Sequence, residues 1–321
     1  MDRALAALPT LPAHPAAQGV RVGGVGALLA AKRNANTLAA YARDVLDLAR
    51  FLAGQDVFGL DDPRAVRALL GATSADIARW RDELARNRLP ATVARKLSAV
   101  RTFYKLATSE GLVRTNPATL VEAPKVQAHR ARAPFLEAPE VRRLLAAPNT
   151  STLTGKRDRV ILALAFRLGL RSDEIRLLTV GQIERDGVGW KLRVVGKGGK
   201  ERTLALNGVA SLLRDYLHAA GLETAPAGAL VFPSPLDPSR PLARRVFARI
   251  FARHAKRAGV VVEANGRVRE LSPHVGRRTF ATRVLDCGGS IEALRRAMGH
   301  ANTATTARYD RRADADVVAD Y

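Results

Sequence analysis

Between Asn36 and Gly54 apolar residues return every three or four positions, with Leu38, Tyr41, Val45, Leu48 and Phe51 on one face. That spacing predicts an amphipathic helix, opened by the polar Asn36-Thr37 pair and closed at Gly54. The same period recurs twice. Thr73-Ser74 opens a helix through Ile77, Trp80 and Leu84, and a third helix from Ala91 to about Ser109 carries Val93, Leu97, Val100, Phe103, Tyr104 and Leu106. Their polar faces hold Arg43, Arg79, Arg81, Arg86, Arg95, Lys96, Arg101 and Lys105. The expectation is a small helical bundle with basic faces over residues 21–122, preceded by a flexible tail over 1–20.

The period is lost in residues 123–138, a Pro-containing, basic stretch that predicts a semi-extended linker. Helical spacing returns at Pro139. The following run "RDRVILALAFRLGLRSDEIRLL" is apolar on nearly every side, which predicts a buried helix. The clear strand pattern comes next: Trp190, Leu192 and Val194 alternate with polar neighbours, a Gly-rich turn intervenes, and Thr203 to Leu206 return. This predicts a β-hairpin with Lys197 and Lys200 at its tip. Pro273 suits the first turn of a further helix, on which His274 and Arg277 fall one turn apart. The fold class expected is mainly α with a small β-sheet (α+β), the second domain covering 139–321.

Composition adds a sign. The chain of 321 residues carries a net charge of +22, which favours a polyanionic partner and predicts salt-dependent binding. Arginine codon bias alone replaces Lys by Arg more readily than it creates such an excess. No run of about 18 apolar residues spans a membrane. The single cysteine, Cys287, leaves no intrachain disulfide and fits a reducing compartment.

The candidate chemistry is cationic. With only six histidines and five tyrosines in the chain, "MGHANTATTARYDRR" sets His300 and Tyr309 nine residues apart. Gly299-His300 also reads as ordinary helix C-capping. Arg171 stands where the long apolar run turns, with Glu174 three residues on as a potential partner. Arg171, Lys197, His274, Arg277, His300 and Tyr309 come with no carboxylate cluster or Cys/His spacing for a metal. Such a set can grip one phosphate. "GKGGK" is not a nucleotide-binding P-loop, since neither lysine is followed by Ser or Thr at the required spacing.

Four segments in order, "GLRSDEI", "VGKGGKERTLAL", "LSPHVGRRTFAT" and "MGHANTATTARYD", resemble the boxes of the tyrosine recombinases of the phage integrase family. The resemblance runs from about residue 25 to 312 and implies an N-terminal SAM-like core-binding domain with a C-terminal catalytic domain. It assigns the catalytic positions to Arg171, Lys197, His274, Arg277, His300 and Tyr309. Tyrosine, with a free pKa of about 10, is roughly one part in a thousand ionised at pH 7 and needs a pocket that favours the phenolate. The implied roles are two arginines clamping the phosphate, His300 bonding to it, His274 assisting proton traffic at the nucleophile, Lys197 as general acid and Tyr309 as nucleophile. The implied partner is double-stranded DNA, bound by a homotetramer or heterotetramer with possible accessory proteins, in the cytoplasm at the nucleoid. No cofactor is implied. Gly276 and Arg278 depart from the family pattern, where an apolar residue and a histidine are usual, and Leu168 stands where threonine is often found. Two other readings stay open: a type IB topoisomerase and a DNA-binding protein without catalysis.

Overall fold

The computed structural model describes residues 35–125, 134–186, 189–196, 199, 201–264, 267–300, 302–307 and 309–310. The expected tail at 1–20, the middle of the expected linker, both hairpin lysines and the segment 311–321 lie outside these. The chain divides into two compact units, 1–129 and 130–321.

The first unit is helical: α1 (Ala35–Ala53), α2 (Pro63–Gly71), α3 (Ser74–Asn87) and α4 (Pro90–Ser109). Val45, Leu48, Leu69, Ile77, Trp80, Leu97, Val100, Phe103 and Tyr104 form its core, where Tyr104 satisfies its buried hydroxyl on the Leu69 carbonyl at 2.8 Å. Thr73 and Asp76 close a capping box on α3. The basic faces are less free than the sequence suggests. Arg95 and Lys96 both engage Asp44, and Arg101 donates to the carbonyls of Ala118 and Val121. These three cations tie the bundle together.

The second unit is built on α6 (Leu153–Arg167), buried from Val160 to Phe166 and packed by α8 (Ala210–Ala219), α10 (Pro273–Asp286) and α5 (Ala138–Ala146). Leu136, inside the expected linker, is 1% exposed in this core, and its backbone N–H donates to Thr279. The apolar run is not one helix. It stops at Leu168, turns through Gly169 at φ 63°, and restarts as α7 (Ser172–Arg176). A Cβ on Gly169 would meet the Phe280 ring at 2.3 Å, so glycine serves both the left-handed turn and the close contact.

Three antiparallel strands follow in the order β1 (Ile183–Asp186), β2 (Gly189–Val195) and β3 (Glu201–Ala205), with Leu192 opposite Leu204 and Val194 opposite Arg202. Leu192 and Val194 turn into the core, as their alternation predicts. Then come α9 (Arg244–Arg257), the hairpin β4 (Val262–Ala264) and β5 (Arg267–Arg269), α10, α11 (Ile291–Met298) and α12 (Thr303–Ala307). At Gly276 a Cβ would sit 3.1 Å from both Ala165 and Phe166, so this departure lets α10 lie close on α6.

Candidate active site

The end of α6, the start of α7, the first turns of α10 and the exit of α11 converge. Arg171 is the N-cap of α7. Its backbone N–H donates to Glu174 Oε2 at 2.8 Å, its Nη1 to Oε1 at 2.8 Å, and its Nη2 to the Gly299 carbonyl at 3.2 Å. Arg277, only 6% exposed, reaches both ways from α10: Nη1 donates to the Gly169 carbonyl, Nη2 to the Met298 carbonyl at 2.6 Å and to His300 Nε2 at 3.0 Å. Gly299 caps α11 in the left-handed conformation, so the capping reading of Gly-His holds alongside the other.

His300 is buried. Arg277 can only donate, so Nε2 accepts and the ring proton sits on Nδ1, donating to Thr306 at 2.9 Å. Burial, then Arg277, Arg171 and Arg202, push the imidazole down to about 4, leaving it neutral near pH 7. Burial first, then Arg171, lowers Arg277 to about 10, still charged at pH 7. Burial raises Glu174, but Arg202 and the Arg171 N–H outweigh it and hold the carboxyl below its usual range.

The histidine shift sets a pH dependence of stability. An unfolded imidazole titrates near 6.5, so below that pH the unfolded chain takes up a proton that the folded site refuses. Stability from this group is complete above pH 6.5 and lost as pH falls toward 4. His300→Gln is expected to flatten the fall in Tm between pH 6.5 and 4.5, in thermal melts run in parallel. An unchanged slope there would contradict the assignment.

Tyr309 packs beside Leu285, Leu294 and Met298, its ring near-parallel to that of His300 with centroids 6.1 Å apart. His274 stands exposed on the first turn of α10, one turn before Arg277, and hydrogen-bonds to no described residue. Lys197 lies outside the described residues. Four of the six expected positions therefore meet at one place in the fold: Arg171, Arg277, His300 and Tyr309.

Two features that bear on function were missed in the sequence. Arg202 on β3 pairs with Glu174 through both guanidinium nitrogens, at 3.1 and 2.8 Å. It shares a strand face with Leu204, and a cation on an inward face is a readable signal for a buried partner. The second is α9, whose apolar Phe247, Ile250, Phe251 and Ala255 recur at helical spacing and whose outer face exposes Arg245, Arg249, Lys256 and Arg257.

The sequence pattern of the Phage integrase family matches residues 134–316, more than half of the chain, and that of the phage integrase N-terminal SAM-like domain matches residues 27–111. The chain belongs to the phage integrase family. Within this family it is similar to tyrosine recombinase XerD of Xanthomonas axonopodis pv. citri, 36% identical over 283 residues that cover 85% of this chain and 86% of the relative. Tyrosine recombinase XerC of Pelobacter propionicus is 34% identical over 281 residues, 85% and 84% of the two chains. This phage integrase family member is a tyrosine recombinase of the Xer type. In fold it resembles the XerH site-specific recombinase solved on its palindromic difH substrate after cleavage, with a TM-score of 0.67 at 18% identity, covering 91% of this chain and 81% of that one.

Proposed function

We propose that this tyrosine recombinase breaks and rejoins double-stranded DNA at a specific site through a covalent link between Tyr309 and a 3′ phosphate. The observation that carries the reading is the convergence of Arg171, Arg277 and His300 beside the Tyr309 ring. Arg277 is held in its fork geometry by the Gly169 and Met298 carbonyls, and Arg171 by Glu174, so both guanidiniums are oriented before a phosphate arrives. Preorganised donors of this kind stabilise the charge that develops as the phosphorus becomes five-coordinate. A bound phosphodiester adds negative charge beside His300, which favours a proton on Nε2; Arg277 Nη2 then leaves that nitrogen for the phosphate, and both groups donate to non-bridging oxygens.

In the proposed step the Tyr309 oxygen forms a bond to phosphorus and the bond from phosphorus to the 5′ oxygen breaks. The tyrosine proton leaves with assistance from His274, and Lys197 on the β2–β3 hairpin delivers a proton to the departing 5′ oxygen. The phosphotyrosine keeps the energy of the phosphodiester, so a 5′ hydroxyl from another strand rejoins the DNA by the reverse attack, with no ATP consumed. The exposed cations of α9 add phosphate contacts along the duplex, and assembly as a homotetramer or heterotetramer on two sites, with accessory proteins, follows the family resemblance. The site of action assigned is the bacterial cytoplasm, at the nucleoid.

Incubating the chain with sheared genomic DNA of its source organism, denaturing in detergent and sequencing the protein-linked fragments tests the reading. Linked fragments sharing one short sequence are expected. Links scattered without a common sequence would favour a topoisomerase, and salt-sensitive binding with no links would favour a DNA-binding protein without catalysis.

A further inference from the structure

Arg202 stands outside the six family positions, yet its guanidinium joins three segments of the site. It lies opposite Val194 in the sheet register, and its side chain is 10% exposed. Nη1 and Nη2 each reach one oxygen of Glu174, at 3.1 and 2.8 Å, while Nε donates to the Ala297 carbonyl at 2.8 Å, in the last turn of α11 just before Gly299 and His300. Glu174 accepts in turn from the backbone and the guanidinium of Arg171. Gly299 makes room for this arrangement: a Cβ there would lie 3.1 Å from Arg202 Nη1.

We infer that Arg202 is a positioning residue for strand cleavage, setting the Arg171 guanidinium through Glu174 and the His300 turn through Ala297. The inference rests on the proposed phosphate-gripping role of Arg171 and His300.

Two physical consequences give Arg202 its effect. The first is charge. Arg171 and Arg202 pair with the single carboxylate of Glu174 while Arg277 contacts His300, which leaves these four charged groups with a surplus of two positive charges for an approaching phosphate. Without Arg202 the surplus falls to one, and Glu174 is left to neutralise Arg171 alone. In a partly buried site that loss is weakly screened. The second is geometry. A planar fork reaches both carboxylate oxygens and a carbonyl on a third side, whereas the single ammonium of lysine cannot span all three. β3 also continues from the hairpin that bears Lys197, so the strand anchored by Arg202 is the root of the arm proposed to deliver the proton.

The test uses the full chain, with R202A, R202K and the R202A/E174Q double variant, and sheared genomic DNA of the source organism as probe. Three quantities are read: DNA affinity by filter binding, the rate of detergent-stable adduct formation at saturating protein, and Tm. R202A is expected to slow adduct formation about 100-fold, the scale of losing one preorganised electrostatic contact, with affinity changed less than about threefold. R202K stays at least about tenfold slow because it restores charge without the fork. Adding E174Q to R202A slows adduct formation by less than about threefold beyond R202A alone, since the carboxylate through which Arg202 acts has already lost that partner.

A wild-type rate in R202A would overturn the inference. So would a double variant more than about threefold slower than R202A, with rates that simply follow Tm, the pattern of a residue that only stabilises the fold. Failure of the wild-type chain to form a Tyr309 adduct would instead remove the functional reading, and this inference with it.

Discussion

Tyr309→Phe is expected to bind DNA as the wild-type chain does and to form no covalent adduct. The substitution removes one oxygen and keeps the ring that packs beside Leu285, Leu294, Met298 and His300. The Tyr309 hydroxyl hydrogen-bonds to no described residue, so folding stability is expected to change by less than about 1 kcal/mol, the range of a substitution that breaks no buried contact. The rate of strand cleavage should fall by at least about 10⁴-fold, as when the nucleophile of a covalent catalyst is deleted. The arginines and the α9 cations are untouched, so the slope of log affinity against log salt stays the same. Adduct gels and salt titrations of the two proteins side by side measure both effects. An adduct formed by the Phe variant at near wild-type rate would place the nucleophile elsewhere.

Arg277→Lys is expected to lower the cleavage rate about 10³-fold, at the upper end of what one preorganised donor contributes. Arg277 is the most buried cation of the pocket, and its fork serves the Gly169 carbonyl, the Met298 carbonyl and His300 together. Lysine offers its donors from a single atom and cannot reach both flanks of α10. A carbonyl left without its partner adds about 1–3 kcal/mol of destabilisation. The variant should also acquire a pH profile. Burial and Arg171 already lower the arginine to about 10, and lysine starts from a lower intrinsic value, so the same environment drives it toward neutrality. Residual activity should therefore decline as pH rises above neutrality, where the wild-type rate holds. A pH-independent residual rate would show that charge at position 277 does not matter.

Much of this was legible in the sequence, and the exceptions have physical causes. The helical period of Leu38 to Phe51 and the alternation of Trp190, Leu192 and Val194 became α1 and β2 because one face of each is buried. The apolar run at 157–178 reads as buried, with a turn just before Arg171, but residues buried on every side carry no period, so the glycine at 169 is the one mark of where the first helix ends and the left-handed turn lies. The helix α2 was missed although Asp62-Pro63 is a readable start signal, with Asp62 accepting from the Arg64 N–H. Basic helix faces were the least reliable guide. The sequence shows Arg95, Lys96 and Arg101 as cations, and only the fold reveals Asp44 and two carbonyls waiting for them.

Site residues were legible through the four segments that resemble the family's boxes, and the fold brings Arg171, Arg277, His300 and Tyr309 of that set together. Their electrostatic state was not legible. The neutral, Nδ1-protonated form of His300 depends first on burial and then on three arginines contributed by α10, α7 and β3, and no local pattern around position 300 records them.

The most direct test of the account is the chemical identity of the covalent link. The detergent-stable adduct formed with DNA is digested with nuclease and protease, and the remaining nucleotide-bearing peptide is sequenced by mass spectrometry with the polarity of its phosphate determined. The account predicts a phosphotyrosine at Tyr309 joined to a 3′ phosphate, with a free 5′ hydroxyl on the other DNA end. A link at any other residue, or through a 5′ phosphate, would contradict it.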